Sequence, residues 1–434
     1  MALTVGMRSV RRTPGPARAV AGDICVVGSG IAGISAAIEA ARLGRRVVLV
    51  EGGPTLGGQS VGAVLGTFCG LYGNGPDFEQ VTHGIADEIL DTLRASGGAA
   101  DMRGRRNTII VQYRIEALAR WVEEAVHREP GITVLLGAVM REVRRDGRRI
   151  RGLALATRYG DVEVTADGFV DATGDAALAW LAGLELREAD IPVYGSIMLV
   201  LENVDHAVLG AVDREELKQR LAAAGPQYGL SRQDGFIFPG PGPDEALVNM
   251  THFETPLDPV AASRTMLEAR AQGDRLVEFL KAEYPTAFAA ARVRSYGQPG
   301  VRQTRTVAGG YTLTADDVRA GRSFSDAVVR CSWPIEFHDR PEGVHWEEFG
   351  DGHMHYVPLR SLTPAETDNL AAAGRCIDAD PVALSSVRVM GPCIAMGAAA
   401  AHALDLAGSG GSVHQIDLAA LRRRLAANLG IDPG

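Results

Sequence analysis

The sequence contains almost no lysine. Of its 44 basic residues only two, Lys218 and Lys281, are lysines, and the rest are arginines. Because neither lysine lies in a recognisable site motif, the sequence disfavours Schiff-base and pyridoxal-phosphate chemistry. Any side-chain cation that clamps an anion in a site is therefore expected to be an arginine.

Cysteine motifs and an excess of positive charge are also missing. The five cysteines are widely spaced, with no CxxC and no CxxxxC pair. This spacing gives no indication of a disulfide framework, a structural zinc site or disulfide-reductase chemistry. Acidic residues outnumber basic ones by 53 to 44, a net charge of −9 that argues against general nucleic-acid binding.

The sequence has no run that is apolar enough to predict a membrane span. The most continuous apolar stretch, residues 391–406, is mostly Ala and Gly and includes His402 and Asp405. Residues 1–20 are rich in arginine, and no signal-type apolar segment follows them, so we expect a disordered basic tail. These features predict a cytoplasmic protein without a membrane span.

Residues 23–53 have the pattern of a βαβ unit. Residues 24–27 and 47–50 are short apolar runs of strand length, and residues 34–43 are rich in Ala at helical spacing. The turn after the first strand fits GxGxxG. The residues of this turn that we expect to contact a dinucleotide are Gly28, Gly30, Ile31, Ala32 and Gly33.

Each glycine of this motif has a physical role. Gly28 permits the tight turn, Gly30 lets a pyrophosphate approach the backbone, and Gly33 lets the helix pack closely on the strand. Glu51 ends the second strand 23 residues after Gly28, where a carboxylate accepts hydrogen bonds from ribose hydroxyls. The unit therefore predicts a dinucleotide site in which Glu51 disfavours a 2′-phosphate.

Three later stretches distinguish FAD from NAD. A second double-glycine turn follows Glu51, residues 150–175 show three short strands ending in an ATG-type motif, and residues 368–376 form a strand and turn before an Ala-rich helix at 385–403. This order resembles the FAD enzymes of the glutathione-reductase-like superfamily. The resemblance implies further FAD contacts at Gly52, Gly58, Gln59, Ser60, Val139, Ala172, Thr173, Gly174, Gly374, Arg375 and Arg388.

Other blocks narrow the resemblance. The GVRQTR block at 300–305, the stretch 311–318, the segment 356–362 and residues 386–390 occur in this order. Over about residues 22–408 the chain is similar to FAD-dependent oxidoreductases, relatives of the fumarate reductase and succinate dehydrogenase flavoproteins. One departure is the run from Gly397, where alanines replace the GQAAG-like sequence, so we assign no polar contact there.

The resemblance implies an α/β fold: a Rossmann-like FAD-binding domain with a three-stranded meander and an inserted α+β substrate-binding cap. The FAD-binding domain is expected to combine distant parts of the chain. The predicted segments are the tail at 1–20, the first part of the FAD-binding domain at 21–185, the cap at 186–355, the C-terminal return at 356–410 and an extension at 411–434.

Flavin chemistry requires a group that fixes the substrate and a group that handles its proton. Arg302 and Arg305, three apart, have the forked donors that suit a carboxylate or carbonyl, although pairing with acids explains them too. The candidates for proton transfer or thiol chemistry are His353, His355, Tyr356 and Cys69, with His83 and Tyr194 weaker. The spacing of His353 and His355 also suits a metal, but no third ligand lies nearby and we predict none.

The sequence predicts an enzyme that transfers a hydride between a small or medium organic molecule and flavin N5, as a dehydrogenase or oxidase of a specialised bacterial pathway. Oxygen, a quinone or another molecule would accept the electrons. The alternatives are an enoate reductase of fumarate-reductase type, an RNA-modifying flavoprotein and a non-catalytic flavoprotein. Substrate, acceptor, covalent attachment of FAD and oligomeric state stay open.

Overall fold

A computed structural model describes residues 7–9, 15–76, 78–103, 108–210, 212–240 and 242–432. Its β-strands are β1 (Arg18–Ala21), β2 (Ile24–Val27), β3 (Val47–Glu51), β4 (Thr67–Phe68), β5 (Ala99–Arg103), β6 (Ile109–Tyr113), β7 (Ile132–Leu136), β8 (Val139–Asp146), β9 (Arg149–Thr157), β10 (Gly160–Thr165), β11 (Gly168–Asp171), β12 (Leu186–Glu188), β13 (Leu199–Glu202), β14 (Phe236–Pro239), β15 (Ala246–Asn249), β16 (Arg292–Tyr296), β17 (Arg305–Val307), β18 (Ala327–Cys331), β19 (Ile335–Arg340), β20 (Gly343–Glu347), β21 (His355–Pro358) and β22 (Leu370–Ala372).

The α-helices alternate with these strands in the first part of the chain and gather near its end. They are α1 (Ile31–Arg42), α2 (Gly58–Gly62), α3 (Ile85–Ala95), α4 (Ile115–Arg128), α5 (Ala177–Leu181), α6 (His206–Leu209), α7 (Arg214–Ala224), α8 (Pro259–Glu283), α9 (Pro285–Phe288), α10 (Ala315–Arg319), α11 (Leu359–Leu362), α12 (Pro381–Val387), α13 (Met390–Ala407), α14 (Leu418–Arg424) and α15 (Ala426–Leu429). By length and composition α13 could cross a membrane, but most of it is buried inside the protein.

A five-stranded parallel sheet forms the centre of the molecule, in the order β22-β11-β2-β3-β7. Four of its strands are almost entirely buried, as expected for a parallel sheet that is covered on both faces. Its members come from both ends and the middle of the chain. This sheet is therefore assembled from distant segments of the chain, as we expect for the FAD-binding domain.

The predicted meander is present as the antiparallel strands β8, β9 and β10. The chain then returns to the central sheet through β11, which ends at the ATG motif. Strand β1 pairs with β10 in parallel register, from Arg18 with Val162 to Ala21 with Thr165. The prediction of a disordered tail up to residue 20 is therefore wrong for Arg18–Val20, because β10 offers an edge; residues 1–6 and 10–14 lie outside the described residues.

A second hydrophobic core lies within the predicted cap. Its buried residues run from Ile197 to Ala291 and join the antiparallel sheet β14-β15-β13-β16 to α8. Strands β18 and β19, which the sequence analysis also assigned to the cap, contribute instead to the first core. The segment with its own core is thus shorter than the predicted 186–355. The predicted C-terminal extension also packs on the first core, through Leu421 and Leu429.

Helices α1 and α13 cross at backbone contact distance. A Cβ on Gly397 of α13 would overlap the carbonyl oxygen of Ala32 in α1, and it would lie 2.9 Å from the Ser35 Cβ. Ser35 Oγ also donates a hydrogen bond to the carbonyl of Ile394 at 2.8 Å. The small residues around Gly397 therefore serve helix packing, which gives the alanine run of α13 a structural reason.

Substitution of Gly397 by Ala is expected to destabilise the fold. The overlap with the α1 backbone costs about 1–3 kcal/mol as overpacking, and a gain of about 1 kcal/mol in helix propensity offsets part of it. Gly273→Ala is the matched control, because the nearest neighbour of its Cβ is a side-chain methyl group, Cδ2 of Leu199 at 3.2 Å, and not backbone. Denaturant unfolding should show a lower midpoint for G397A only. Equal midpoints for G397A and wild type would contradict this packing argument.

Candidate active site

The GxGxxG turn has the geometry of a phosphate cradle. Gly28 has φ +97°, and a Cβ there would overlap the carbonyl of Ala172. A Cβ on Gly33 would overlap the carbonyl of Gly28, so α1 can approach β2 only with glycine at this position. A Cβ on Gly30 would instead meet no atom within 4 Å. The backbone at Gly30, which precedes the N-terminus of α1, thus faces open space where an anion can approach.

Glu51 binds the cradle through its carboxylate. One oxygen accepts hydrogen bonds from the Ser29 amide at 2.9 Å and the Ser29 hydroxyl at 2.6 Å, and the other accepts from the Gly53 amide at 2.7 Å. Because a carboxylate offers about four lone-pair sites, these three bonds leave room for a further donor. The geometry therefore accommodates the predicted ribose contact and shows that Glu51 also orders the loop.

Asp171 orders the ATG motif and was missed by the sequence analysis. Its buried carboxylate accepts hydrogen bonds from the Thr173 amide and hydroxyl and from the amides of Leu178 and Ala179, at 2.7 to 3.1 Å. Burial raises the pKa of Asp171. Beyond this turn, Gly174 packs against the guanidinium of Arg375, whose buried Nη1 has no partner among the described residues.

The predicted flavin-proximal loop is tied to the GVRQTR block. Gln59 Nε2 donates to the carbonyl of Val301 at 3.1 Å, and Ser60 Oγ donates to the carbonyl of Gly57 at 2.5 Å. Val139 lies at the start of β8 and is 57% exposed. Both polar side chains of the loop thus have partners within the protein, and their predicted FAD contacts stay predictions, as does that of Val139.

Three guanidinium groups lie close together beside this block, and we call Arg232, Arg302 and Arg388 the arginine cluster. Arg302 Nη1 donates to the carbonyl of Tyr194 at 2.7 Å, and Arg388 Nη2 donates to the carbonyl of Glu336 at 3.3 Å. Arg232 is 1% exposed. Among the residues described, Arg232 Nη2 and Arg388 Nε are buried without a hydrogen-bond partner. The cluster therefore has donors in excess of its acceptors.

The charges of the arginine cluster oppose one another. Burial, then the positive charges of Arg388 and Arg232, lower the pKa of Arg302 well below its usual value, against the smaller effects of Glu336 and Asp234. Burial also lowers the pKa of Arg388. Arg302 and Arg388 nevertheless retain accessible surface. Such a cluster favours the binding of an anion, because an anion would satisfy both the free donors and the surplus charge.

A line of two histidines and one glutamate adjoins the arginine cluster. His252 Nε2 and His338 Nδ1 are 2.8 Å apart, and His338 Nε2 lies 3.2 Å from Glu336 Oε1. Trp333 Nε1 donates to Glu336 Oε2 at 3.3 Å. Burial, then the charges of nearby arginines, lower the pKa of both histidines. The sequence analysis did not select Glu336, His338 or His252 as site residues.

The predicted catalytic histidines lie in a separate line of contacts. His355 is fully buried, with Nδ1 3.3 Å from His353 Nε2 and Nε2 2.9 Å from Ser386 Oγ. Ser386 Oγ donates to the carbonyl of Trp333 at 2.5 Å. Both ring nitrogens of His355 are therefore engaged within the protein, in contacts that join β21 to α12. Tyr356 follows His355 in the strand, so it points to the other face.

Cys69 follows β4 and lies against the first turn of α13. Its carbonyl accepts a hydrogen bond from the Gly391 amide at 3.0 Å, and a Cβ on Gly391 would overlap the carbonyl of Gly70. Burial raises the pKa of the Cys69 thiol, and Glu336 raises it further. Cys69 is thus a protonated thiol close to Glu336 and Arg388. Its predicted reaction with flavin stays a prediction.

The comparison with protein families identifies the chain. The model of the family described as FAD dependent oxidoreductase matches residues 23–425. The chain belongs to this family of FAD-dependent oxidoreductases. A search of curated protein sequences gives no significant match.

Several solved structures are similar to the oxidoreductase over most of its length. The flavin-dependent brominase Bmp2 has 14% identity and a TM-score of 0.49, covering 91% of this chain and 81% of its own. A geranylgeranyl bacteriochlorophyll reductase-like protein from Thermoplasma acidophilum has 16% identity and a TM-score of 0.45, covering 89% and 78%. PqsL, a probable FAD-dependent monooxygenase from Pseudomonas aeruginosa, has 15% identity and a TM-score of 0.42, covering 95% and 94%.

The prediction of FAD as cofactor is confirmed by the family, and the described residues fit it. The open space at Gly30, the remaining acceptor capacity of Glu51 and the free Nη1 of Arg375 suit a pyrophosphate, a ribose and further polar atoms. Gly28, Gly33 and Ala172 build this cradle without contributing a side chain. The motif residues are thus compatible with FAD, and their individual contacts with it stay predictions.

Substitution of Gly30 by Ala is expected to weaken FAD binding without destabilising the apoprotein. The added methyl meets no protein atom within 4 Å, so it projects into the space left for the pyrophosphate. We expect at least a tenfold increase in the Kd for FAD, with apoprotein unfolding unchanged. Flavin fluorescence titration measures the first quantity and denaturant unfolding the second. An unchanged Kd would show that the pyrophosphate lies elsewhere.

Acidification is expected to destabilise the protein through His355. Burial lowers the pKa of His355 from 6.5 to about 3, so between these values the unfolded chain binds the proton and the folded chain does not. The free energy of unfolding therefore falls as pH falls through this window, by about 1.4 kcal/mol per pH unit for each such group.

His355→Asn tests whether His355 causes this pH dependence, with the free energy of unfolding measured at pH 7 and pH 5. In the variant, the decrease in this free energy between the two pH values should be smaller by about 2 kcal/mol. His345→Asn is the control, because His345 is half-exposed. His252 and His338 act in the same direction and should retain the rest of the pH dependence in H355N. An identical pH dependence in H355N and wild type would exclude His355 as a contributor.

Proposed function

We propose that the oxidoreductase dehydrogenates a small or medium-sized organic anion, most simply a carboxylate. The observation that supports this proposal is the arginine cluster, in which buried guanidinium groups keep free donors and repel one another. When bound, FAD supplies the two-electron acceptor that takes a hydride at N5. Arg302 and Arg388 would bind and orient the anionic group of the substrate.

The arginine cluster is connected to the parts of the chain that would hold FAD. The GVRQTR block that contains Arg302 bonds to Gln59 through Val301 and to Asp175 through Thr304, whose hydroxyl donates at 2.8 Å. Arg388 is the C-cap residue of α12 and lies two residues before the start of α13 at Met390. An anion held by these arginines would therefore lie at the junction of the cradle, the return segment and the cap.

We propose that the reaction runs in the direction of substrate oxidation, in a cytoplasmic enzyme. Oxygen, a quinone or another acceptor would take the electrons. Anaerobic bleaching of bound FAD by an organic acid supports this direction. Reoxidation of photoreduced enzyme by an enoate, without bleaching by saturated acids, would replace it with an enoate reductase.

Arg302→Met tests the binding role of the arginine cluster. Loss of a charge-assisted hydrogen bond of about 1.5–3 kcal/mol weakens anion binding about 10- to 100-fold. The fold should be retained, because the charge of Arg302 is disfavoured by its surroundings. Sodium benzoate and sodium succinate serve as probes, and the perturbed absorption spectrum of bound FAD measures their Kd.

Arg305→Met is the matched control for R302M. Arg305 belongs to the same block but pairs with Glu188 at 3.1 Å and lies 4.3 Å from the ring of Trp180. The control should therefore bind both probes as wild type does, and both variants should keep their FAD. Equal Kd values for R302M and R305M would remove Arg302 from the proposed anion site.

A further inference from the structure

The line of Glu336, His338 and His252 ends on a backbone carbonyl, and this end fixes the direction of its hydrogen bonds. His252 Nδ1 lies 3.2 Å from the carbonyl oxygen of Pro341. A carbonyl oxygen only accepts hydrogen bonds, so His252 Nδ1 carries a proton and donates it. The line therefore comprises three contacts: Pro341 to His252, His252 to His338, and His338 to Glu336.

Three contacts of this line require three protons. Two neutral imidazoles supply one proton each, which bridge the first two contacts. The contact of 3.2 Å between His338 Nε2 and Glu336 Oε1 would then join two lone pairs, unless a third proton lies between them. Both histidines are buried to 2% exposure or less, so water does not replace the missing donor.

Glu336 is the accessible end of the line. Each histidine has both ring nitrogens engaged, whereas the Glu336 carboxylate uses two of its lone-pair sites, for Trp333 and His338. Its side chain is 17% exposed, and its negative charge acts on Arg302 and Arg388. A group bound at the arginine cluster would therefore meet the carboxylate before it meets either ring.

The line is surrounded by charged groups that favour loss of its third proton. Charged groups face the line or the side chains in contact with it. The cations are Arg232, Arg302 and Arg388, and the anions are Asp234, Glu254, Glu342 and, when ionised, Cys69. The three arginines have the largest effect of these groups on the histidine rings. A positive surrounding opposes a cationic ring, so the third proton is expected on Glu336 when it is present.

We infer that Glu336 is the proton acceptor of the dehydrogenation and that His338 and His252 position it by sharing the accepted proton. This inference rests on the proposed function. The substrate loses a hydride with its electron pair to FAD and a proton to the Glu336 carboxylate, so both hydrogens of the oxidation are accounted for. The line alternates between two and three protons as the proton enters from the substrate and leaves to solvent.

The third proton is tested on the holoenzyme without substrate, by infrared spectroscopy across pH. A protonated Glu336 gives a carboxylic C=O stretch that shifts in D₂O, appears on acidification and is missing in Glu336→Gln. If the third proton lies on a histidine ring instead, nuclear magnetic resonance of ¹⁵N-labelled histidine shows an imidazolium signal. Glu336→Gln keeps a donor toward His338, and His338→Asn provides a second variant if E336Q fails to fold.

Glu245→Gln is the matched control, since Glu245 is a buried glutamate paired with Arg294 and should retain the signal of Glu336. A Glu336 signal with the same frequency in His338→Asn and in wild type would overturn the inference, because only the contact with His338 distinguishes this carboxyl group from others. The outcome is independent of R302M: benzoate and succinate can fail to bind while the proton signals are present, and this result would remove the anionic substrate and leave the line intact.

Discussion

Helix α1 touches the backbone of a neighbouring segment on each of two sides, and the site depends on this close packing. On one side Gly33 meets the carbonyl of Gly28, and on the other Gly397 of α13 meets the carbonyl of Ala32. Side chains of any size at either glycine would separate these elements. Because the first contact shapes the phosphate cradle and the second fixes α13, the cofactor end and the arginine end of the site share one rigid helix.

This packing sets where charge can accumulate. Once α13 is fixed against α1, the residues just before it, Arg388 and Val389, lie against the loop of Cys69 and Gly70. Arg388 is then held near Glu336 by its bond to the carbonyl of that residue. The repulsion among the three guanidinium groups is thus imposed by the fold. Burying like charges lowers stability, which is a cost that natural proteins accept mainly at sites of function.

Sequence patterns predicted the cofactor half of the protein well, because its contacts are local. Strand β2 and the turn from Gly28 to Gly33 follow within a few residues of each other, so their roles can be assigned from spacing. The meander and its ATG return were predicted for the same reason.

The contacts around the arginine cluster could not be predicted from the sequence, because they are long-range. His252 and His338 are 86 residues apart and meet at 2.8 Å, and Glu336 joins them from the same strand as His338. Neither histidine stands in a motif that spacing rules recognise. The sequence analysis selected His353 and His355 for their spacing. In the structure His355 contacts His353 and Ser386, and the catalytic role of the pair stays a prediction.

The two histidine lines differ in what they can exchange. In the line of His355, the Ser386 hydroxyl is the last group and donates its hydrogen bond to the Trp333 carbonyl, so no carboxylate takes part. In the line of His252 a carboxylate ends the sequence, and a proton at this end changes the charge seen by the arginine cluster. Protonation of Glu336 removes one of the two carboxylates that partly offset the charge of Arg302. Binding of an anion at the arginine cluster and protonation of Glu336 therefore favour each other. A substrate that has both a negative group and a proton to lose provides both.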